Sequence, residues 1–158
     1  MILINLKTTI VLGAFVLLML PTAGRAQDAN NPQCPAPSMY VATFQDSKCV
    51  AVTLQYDLKL TRVFSGDKSE QGHYFTTTPL LSRSYAIRRL ALKREWGNLA
   101  TTQVEATIPT GTTIYIGIVA PQNPPAMYPG GAQQTVIVDL TGIVWGPPRP
   151  VPKSHRYH

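Results

Sequence analysis

The sequence predicts a small α+β domain, built from a mostly antiparallel β-sheet and one main helix. About six or seven short runs rich in β-branched and aromatic residues are separated by glycine, proline and polar turn residues, which is typical of strands. One segment, residues 82–92, has apolar side chains at helical spacing. Strands that follow one another through turns, with a single helix among them, favour antiparallel pairing.

The first 26 residues have the features of a secretory signal peptide. Lys7 gives a basic start, residues 10–20 form an apolar run, and small residues precede a cleavage point between Ala26 and Gln27. The run is shorter than the roughly 20 residues of a membrane-spanning helix, and an uncleaved signal anchor is the alternative. We therefore expect a protein secreted to the extracellular space or periplasm, without membrane association after cleavage. The remaining 132 residues suit one domain with one core.

The net charge argues against nucleic acid as the partner. Cleavage removes Lys7, Arg25 and no acidic residue, so the net charge falls from +6 to +4. A mildly basic chain is not a nucleic-acid binder by charge alone. Part of the positive charge is clustered near the predicted helix, as its solvated face or as an attraction for an anionic ligand. The cluster consists of Arg83, Arg88, Arg89, Lys93 and Arg94.

Two cysteines, Cys34 and Cys49, predict one disulfide in a secreted chain. The bridge would close a loop of sixteen residues and stabilise the fold by roughly 3 kcal/mol in the chain-entropy model. It would tie a proline-rich arm to the first strands, which are predicted over residues 39–44 and 49–54 around a turn at residues 45–47. The histidines are scattered, so the sequence offers no ligand set for a metal site.

Residues 57–64 alternate as a strand and carry one misplaced charge. Leu58, Leu60, Arg62 and Phe64 fall on the same face, which is otherwise apolar. A buried, unpaired charge is very costly. Arg62 is therefore expected to pair with a core carboxylate or carbonyl, to extend to an edge, or to hold an anionic ligand.

Residues 72–79 predict a short strand that ends at Pro79. Tyr74, Phe75 and Thr76 place hydroxyl groups beside aromatic rings. That combination suits a flat heteroaromatic ligand with ribose hydroxyls, and it equally suits an ordinary strand end.

The predicted helix begins after Ser82, a suitable N-cap, and continues to Leu92. Gly97 is expected to provide a left-handed cap at its end. Residues 101–108 and 113–119 alternate and are predicted to form a hairpin around the turn at residues 109–112. The proline- and arginine-rich tail after Gly142 is predicted to be mobile.

The stretch 128–140 joins a glycine turn to a strand predicted over residues 136–140. Gly130 and Gly131 allow positive φ and the close approach of another molecule. Gln134 heads the apolar face of that strand, either as a satisfied core polar group or as a residue aimed into a pocket. The apolar positions are Val136, Val138 and Leu140.

Several of these motifs occur together in a known order. They are residues 60–66 (LTRVFSG), 72–77 (GHYFTT), 96–98 (WGN), 109–117 (PTGTTIYIG) and 130–134 (GGAQQ). The set resembles the C-terminal toxin domains of bacterial polymorphic-toxin and contact-dependent systems, over about residues 58–142. It is similar, more distantly, to the NAD glycohydrolase domain of the tuberculosis necrotizing toxin family. Ala132 is a departure, because those toxin domains usually have a third glycine there.

The resemblance implies an NAD-glycohydrolase or ADP-ribosyltransferase-like fold, in which NAD lies in a cleft between two half-sheets. By that resemblance Arg62 would contact the NAD phosphates or position the nicotinamide ribose. Tyr74 or Phe75 would pack on the nicotinamide, and Gln134 would bind the ribose and stabilise the developing oxocarbenium ion. The remaining substrate-binding candidates are Thr76, Gly130 and Gly131. The core would be residues 58–142, between the arm and first strands (27–57) and the tail (143–158).

The sequence thus favours a secreted enzyme that cleaves NAD or NADP as a substrate, without a cofactor, and releases nicotinamide. An ADP-ribosyltransferase is the first alternative, since Gln103-Val104-Glu105 matches the Gln-x-Glu of arginine-modifying transferases in letters. A non-enzymatic secreted binding module is the second. Arg62 and Gln134 in one cleft would favour catalysis, whereas Arg62 locked to Asp57 or Glu105 would favour the binding module. A protein target or immunity protein is an expected partner of unknown identity.

Overall fold

The computed structural model describes residues 33–65 and 71–153. The predicted signal peptide, residues 1–26, lies outside this part of the chain. The helices are α1 (Ser38–Val41) and α2 (Arg83–Arg89), with a short 3₁₀ helix at Arg94–Trp96. The strands are β1 (Phe44–Thr53), β2 (Leu58–Phe64), β3 (Tyr74–Phe75), β4 (Thr102–Ile108), β5 (Thr113–Val119), β6 (Gln133–Ile137), β7 (Val144–Trp145) and β8 (Arg149–Pro150).

The strands form two antiparallel sheets, which confirms the predicted α+β class. One sheet has the order β1-β5-β6-β3, and the other has the order β2-β4-β7, with β8 also paired to β4. Apolar side chains from both sheets meet between them and form the main core. Its largest members are Leu60, Phe75, Ile108, Ile114 and Ile137. Among the described residues, no helix is long and apolar enough to cross a membrane.

The predicted hairpin between β4 and β5 is wrong. β4 pairs with β2 in one sheet, whereas β5 pairs with β1 and β6 in the other. The turn at residues 109–112 is instead the crossing between the sheets. It is bonded to the neighbouring crossing from β1 to β2, because Gly111 N–H donates to the Leu54 carbonyl at 2.8 Å and Thr110 N–H donates to Asp57 Oδ1 at 2.9 Å.

The N-terminal strand prediction is also partly wrong. Residues 38–41 form a helix, and the predicted turn at residues 45–47 lies inside the ten-residue strand β1. Asp46 and Ser47 take positive φ there, and the register shifts between Phe44 and Cys49. A β-bulge therefore stands where the polar residues predict a turn.

The main helix is confirmed, but it is shorter than predicted. Ser82 is its N-cap and accepts a hydrogen bond from Tyr85 N–H at 3.1 Å. The helix ends at Arg89, because Ala91 takes a φ of +48°. Gly97 takes the left-handed cap, although it caps the 3₁₀ helix.

Residues 144–151 of the tail are folded, in contrast to the predicted mobility. β7 and β8 each pair with β4, and Val151 is buried. The Trp145 ring stacks on Phe75 with ring centroids 5.7 Å apart. This segment therefore completes the second sheet and covers the main core.

The predicted disulfide is confirmed between Cys34 and Cys49. Both cysteines are buried in a second cluster with Tyr40 and Phe44.

We expect the double variant Cys34→Ser, Cys49→Ser to lose about 3 kcal/mol of unfolding free energy, because its unfolded chain regains the loop entropy. Urea unfolding followed by circular dichroism measures the change. A reductant should destabilise the wild type equally and leave the variant unaffected; equal midpoints for wild type and variant would contradict the prediction.

Candidate functional site

A cavity of about 520 Å³ opens where the two sheets approach each other, and its volume is typical of small-molecule sites. The sheets are joined there by Thr61 of β2 and Thr76 beyond β3, whose backbones exchange hydrogen bonds of 2.9 and 2.8 Å. The lining combines strand residues with the segment that follows α2. Five of the seven predicted site residues line it, namely Arg62, Tyr74, Phe75, Thr76 and Gln134.

Gln134 projects from β6 into this cavity. The residue is only 7% exposed, and its Nε2 donates to Thr43 Oγ1 at 2.7 Å. Its neighbour across the sheet is Gly117 of β5, and a methyl group at residue 117 would collide with the Phe44 ring. The Gln134 amide is therefore largely buried and is held by its hydrogen bond to Thr43. The strand itself begins at Gln133 and ends at Ile137, so Val138 is exposed and does not extend the apolar face as predicted.

Arg62 enters the same cavity from the other sheet. Its Nη1 and Nη2 donate weakly to the carbonyls of Tyr74 and Gln71, at 3.4 and 3.5 Å. Burial lowers the pKa of the guanidinium, although arginine remains protonated in proteins. Asp57 and Glu105 are engaged elsewhere, with Thr110 and Lys59 respectively. Arg62 therefore places a partly buried positive charge in the lining of the cavity.

Tyr74 provides an aromatic wall close to both residues. It pairs with Val136 across the sheet, so its side chain projects on the same face as Gln134, one diagonal step away. Tyr74 is 41% exposed, and its ring meets that of Tyr40 edge-to-face with ring centroids 5.9 Å apart. Burial, and then the nearby Tyr40, raises the pKa of Tyr74 above the ordinary value of 10.0, so its hydroxyl is neutral at physiological pH.

Phe75 and Thr76 line the cavity, but their side chains are committed to the fold. Phe75 points into the main core. The Thr76 hydroxyl donates to the Gln133 carbonyl at 2.7 Å and accepts from Thr78 N–H at 2.9 Å. Both residues are almost fully buried. Tyr74 is therefore the exposed aromatic residue of this strand.

Gly130 and Gly131 lie outside the cavity lining and support it from behind. Both take positive φ, and a methyl group at Gly130 would lie 2.5 Å from the Val119 carbonyl oxygen. The Gly130 and Ala132 N–H groups donate to the carbonyls of Arg88 and Arg89 at the end of α2, both at 3.1 Å. This turn therefore joins the helix to β6, and the Ala132 methyl packs in a buried cluster.

The Gln-x-Glu sequence lies on β4, away from the cavity. Gln103 Nε2 donates to the Pro150 carbonyl at 3.3 Å. Glu105 is exposed and pairs with Lys59 at 3.2 Å. This geometry is that of a solvated strand face, and it provides no support for a transferase that uses these two residues.

Several lining residues were not among the predicted site residues. Thr43 lies after α1, Trp96 and Asn98 lie around the 3₁₀ helix, and Gln122 lies in the loop between β5 and β6. Trp96 is 52% exposed, and the Lys93 ammonium lies 5.7 Å from its ring centroid. Trp96 and Asn98 belong to the WGN motif of the resemblance, but the sequence analysis assigned them no role at the site.

The absence of a side chain at Gly72 leaves the space that the Arg62 guanidinium occupies. A methyl group at residue 72 would lie 2.5 Å from Arg62 Cζ. Because the obstruction is the end of a flexible side chain, we expect Gly72→Ala to fold normally and to displace the guanidinium. We expect the affinity of the cavity for an anion to fall about tenfold, because a displaced Arg62 guanidinium loses a charge-assisted hydrogen bond to the anion. Titration with pyrophosphate measures this affinity. Gly72→Ala in an Arg62→Ala background is the control, because the guanidinium that the added methyl group displaces is then absent and no further loss is expected. Equal affinities of Gly72→Ala and wild type would contradict the prediction.

Neither a family profile nor a curated protein matches the sequence. The fold is similar to a chain in the solved structure of Tne2 in complex with Tni2, with a TM-score of 0.55. The two chains are 20% identical, and the match covers 68% of this chain and 93% of that chain. At this identity the likeness establishes a shared fold.

Proposed function

We propose that this protein is a secreted, toxin-like enzyme that cleaves NAD or NADP and releases nicotinamide. The observation that best supports this proposal is that Arg62 and Gln134, from different sheets, line one cavity together with the exposed residue Tyr74. Both residues stand out in the sequence as polar positions on apolar strand faces. Their convergence favours catalysis over the binding-module alternative.

The reaction breaks the bond between ribose C1′ and the nicotinamide nitrogen. The bonding electron pair leaves with nicotinamide and neutralises its pyridinium charge, while positive charge develops on the ribose. Water then adds to C1′ and loses a proton, which gives ADP-ribose. A site for this reaction needs a fixed dipole at the ribose, an aromatic wall and a cation for the pyrophosphate.

Each requirement has a candidate among the lining residues. The Gln134 amide is oriented without a change of ionisation. Tyr74 offers a neutral ring to the nicotinamide. Arg62 offers a planar fork that fits a phosphate with two hydrogen bonds.

Incubation of the mature chain with NAD tests the proposal. Chromatography should detect nicotinamide and ADP-ribose in equal amounts, and NADP in a parallel reaction defines the dinucleotide preference. Nicotinamide without an equal amount of ADP-ribose would identify a transferase, and mass spectrometry of an added cell extract would locate the transferred group. A folded protein that leaves both dinucleotides intact would contradict the enzyme proposal.

A protein partner is a separate part of the proposal. The solved structure with the similar fold is that of Tne2 in complex with Tni2. By analogy we propose that this chain also binds a protein inhibitor or target. Co-purification of the tagged mature chain from its native host is the corresponding experiment.

A further inference from the structure

We propose that Thr43 is a positioning residue that orients the Gln134 amide so that its carbonyl oxygen faces the cavity. The inference deepens the proposed function and rests on it for its catalytic consequence. The orientation itself follows from hydrogen-bond chemistry in the structure.

A proton count determines which end of the Gln134 amide meets Thr43. The Thr43 hydroxyl has one proton, and its Oγ1 lies 2.7 Å from the Tyr40 carbonyl oxygen, which can only accept. That proton is therefore donated to the Tyr40 carbonyl oxygen, and Oγ1 can only accept a hydrogen bond from Gln134. The amide group at 2.7 Å from Oγ1 must then be the donating NH₂ group. The amide oxygen is consequently the end left for the cavity.

The fold holds Thr43 firmly enough to act in this way. Its N–H donates to the Tyr40 carbonyl at 3.0 Å, and its own carbonyl accepts from Ala120 N–H at 2.9 Å. Tyr40 is buried beside the Cys34–Cys49 disulfide, within the loop that the bridge closes. The loop closed by the disulfide thus holds the Thr43 hydroxyl at the cavity in a fixed orientation.

Loss of the hydroxyl would remove the preference between the two orientations of the amide. A rotated amide would present its N–H groups to the ribose, where positive charge develops in the transition state. An oxygen dipole stabilises that charge, and an N–H group opposes it. The effect should therefore fall on kcat, with little change in KM for NAD.

Thr43→Val and Thr43→Ser test the inference on the full mature chain. Valine keeps the shape without the hydroxyl and should lower kcat about tenfold, since one hydrogen bond is lost. Serine restores the hydroxyl and should stay within about twofold of the wild type, as a matched rescue. In a Gln134→Ala background, Thr43→Val should cause no further loss. Wild-type kcat in Thr43→Val, or a loss that serine does not rescue, would overturn the inference.

A spectroscopic readout separates this inference from the proposed function. The ¹⁵N-labelled side-chain amide of Gln134 should exchange its protons slowly in wild type and in Thr43→Ser, and quickly in Thr43→Val. If wild type fails to cleave NAD but shows this pattern, the proposed reaction is wrong and the positioning stands. Identical exchange in Thr43→Val and wild type would overturn the positioning itself.

Discussion

Replacement of Gln134 by alanine is expected to lower kcat for NAD cleavage by about 10²–10³-fold, the usual loss when one preorganised polar group is removed from a catalytic site. The Gln134 oxygen is the dipole aimed at the ribose, and alanine leaves nothing in its place. Alanine fits on β6 without a clash, and Thr43 keeps its bond to the Tyr40 carbonyl. The melting temperature should therefore change little. Rates of nicotinamide release by Gln134→Ala and wild type measure the effect.

Gln103→Ala is the matched control for this prediction. It removes the same chemical group from β4, away from the cavity, where the amide donates to the Pro150 carbonyl. Its kcat should equal that of wild type. A large loss in Gln103→Ala with little loss in Gln134→Ala would move the active site to β4 and revive the transferase alternative.

Replacement of Arg62 is expected to weaken substrate binding. Arg62→Lys keeps a positive charge but loses the planar fork, and we expect KM for NAD to rise about tenfold. Arg62→Ala should raise KM further, by about another tenfold, because the charge at the pyrophosphate is also lost. Steady-state kinetics over a range of NAD concentrations separates KM from kcat.

Lys59→Ala is the control for Arg62. Lys59 lies on the same strand, and its ammonium pairs with Glu105 at an exposed surface. An exposed ion pair contributes little to stability, so neither the fold nor KM should change. A KM for Arg62→Lys that matches wild type would indicate that the pyrophosphate lies elsewhere.

Local sequence signals predict Arg62 and Gln134 as candidate site residues, and both line the same cavity. Each is a polar residue on an apolar strand face, and two-residue periodicity reports that conflict without any knowledge of pairing. Tyr74 was predicted from the short strand at residues 72–79, where hydroxyl groups lie beside aromatic rings. The exposed position of Tyr74 and the buried position of Phe75 depend on which face meets the other sheet, which the sequence alone does not define.

Long-range pairing explains what the sequence analysis missed. A short turn between β4 and β5 has the same local features whether it closes a hairpin or crosses between sheets, and the pairing of β5 with β1 and β6 decides the outcome. The two-residue strand β7 is too short to give a periodic pattern. Thr43 carries no local signal either, because its role depends on a partner ninety-one residues away in the sequence.

The most direct test of the central claim is a crystal structure of the mature Gln134→Ala variant soaked briefly with NAD, which the variant should bind and cleave only slowly. We expect the pyrophosphate within about 3 Å of the Arg62 guanidinium, the nicotinamide against Tyr74 and its ribose beside residue 134. NAD bound outside this cavity, or within it with the pyrophosphate away from Arg62, would contradict the account.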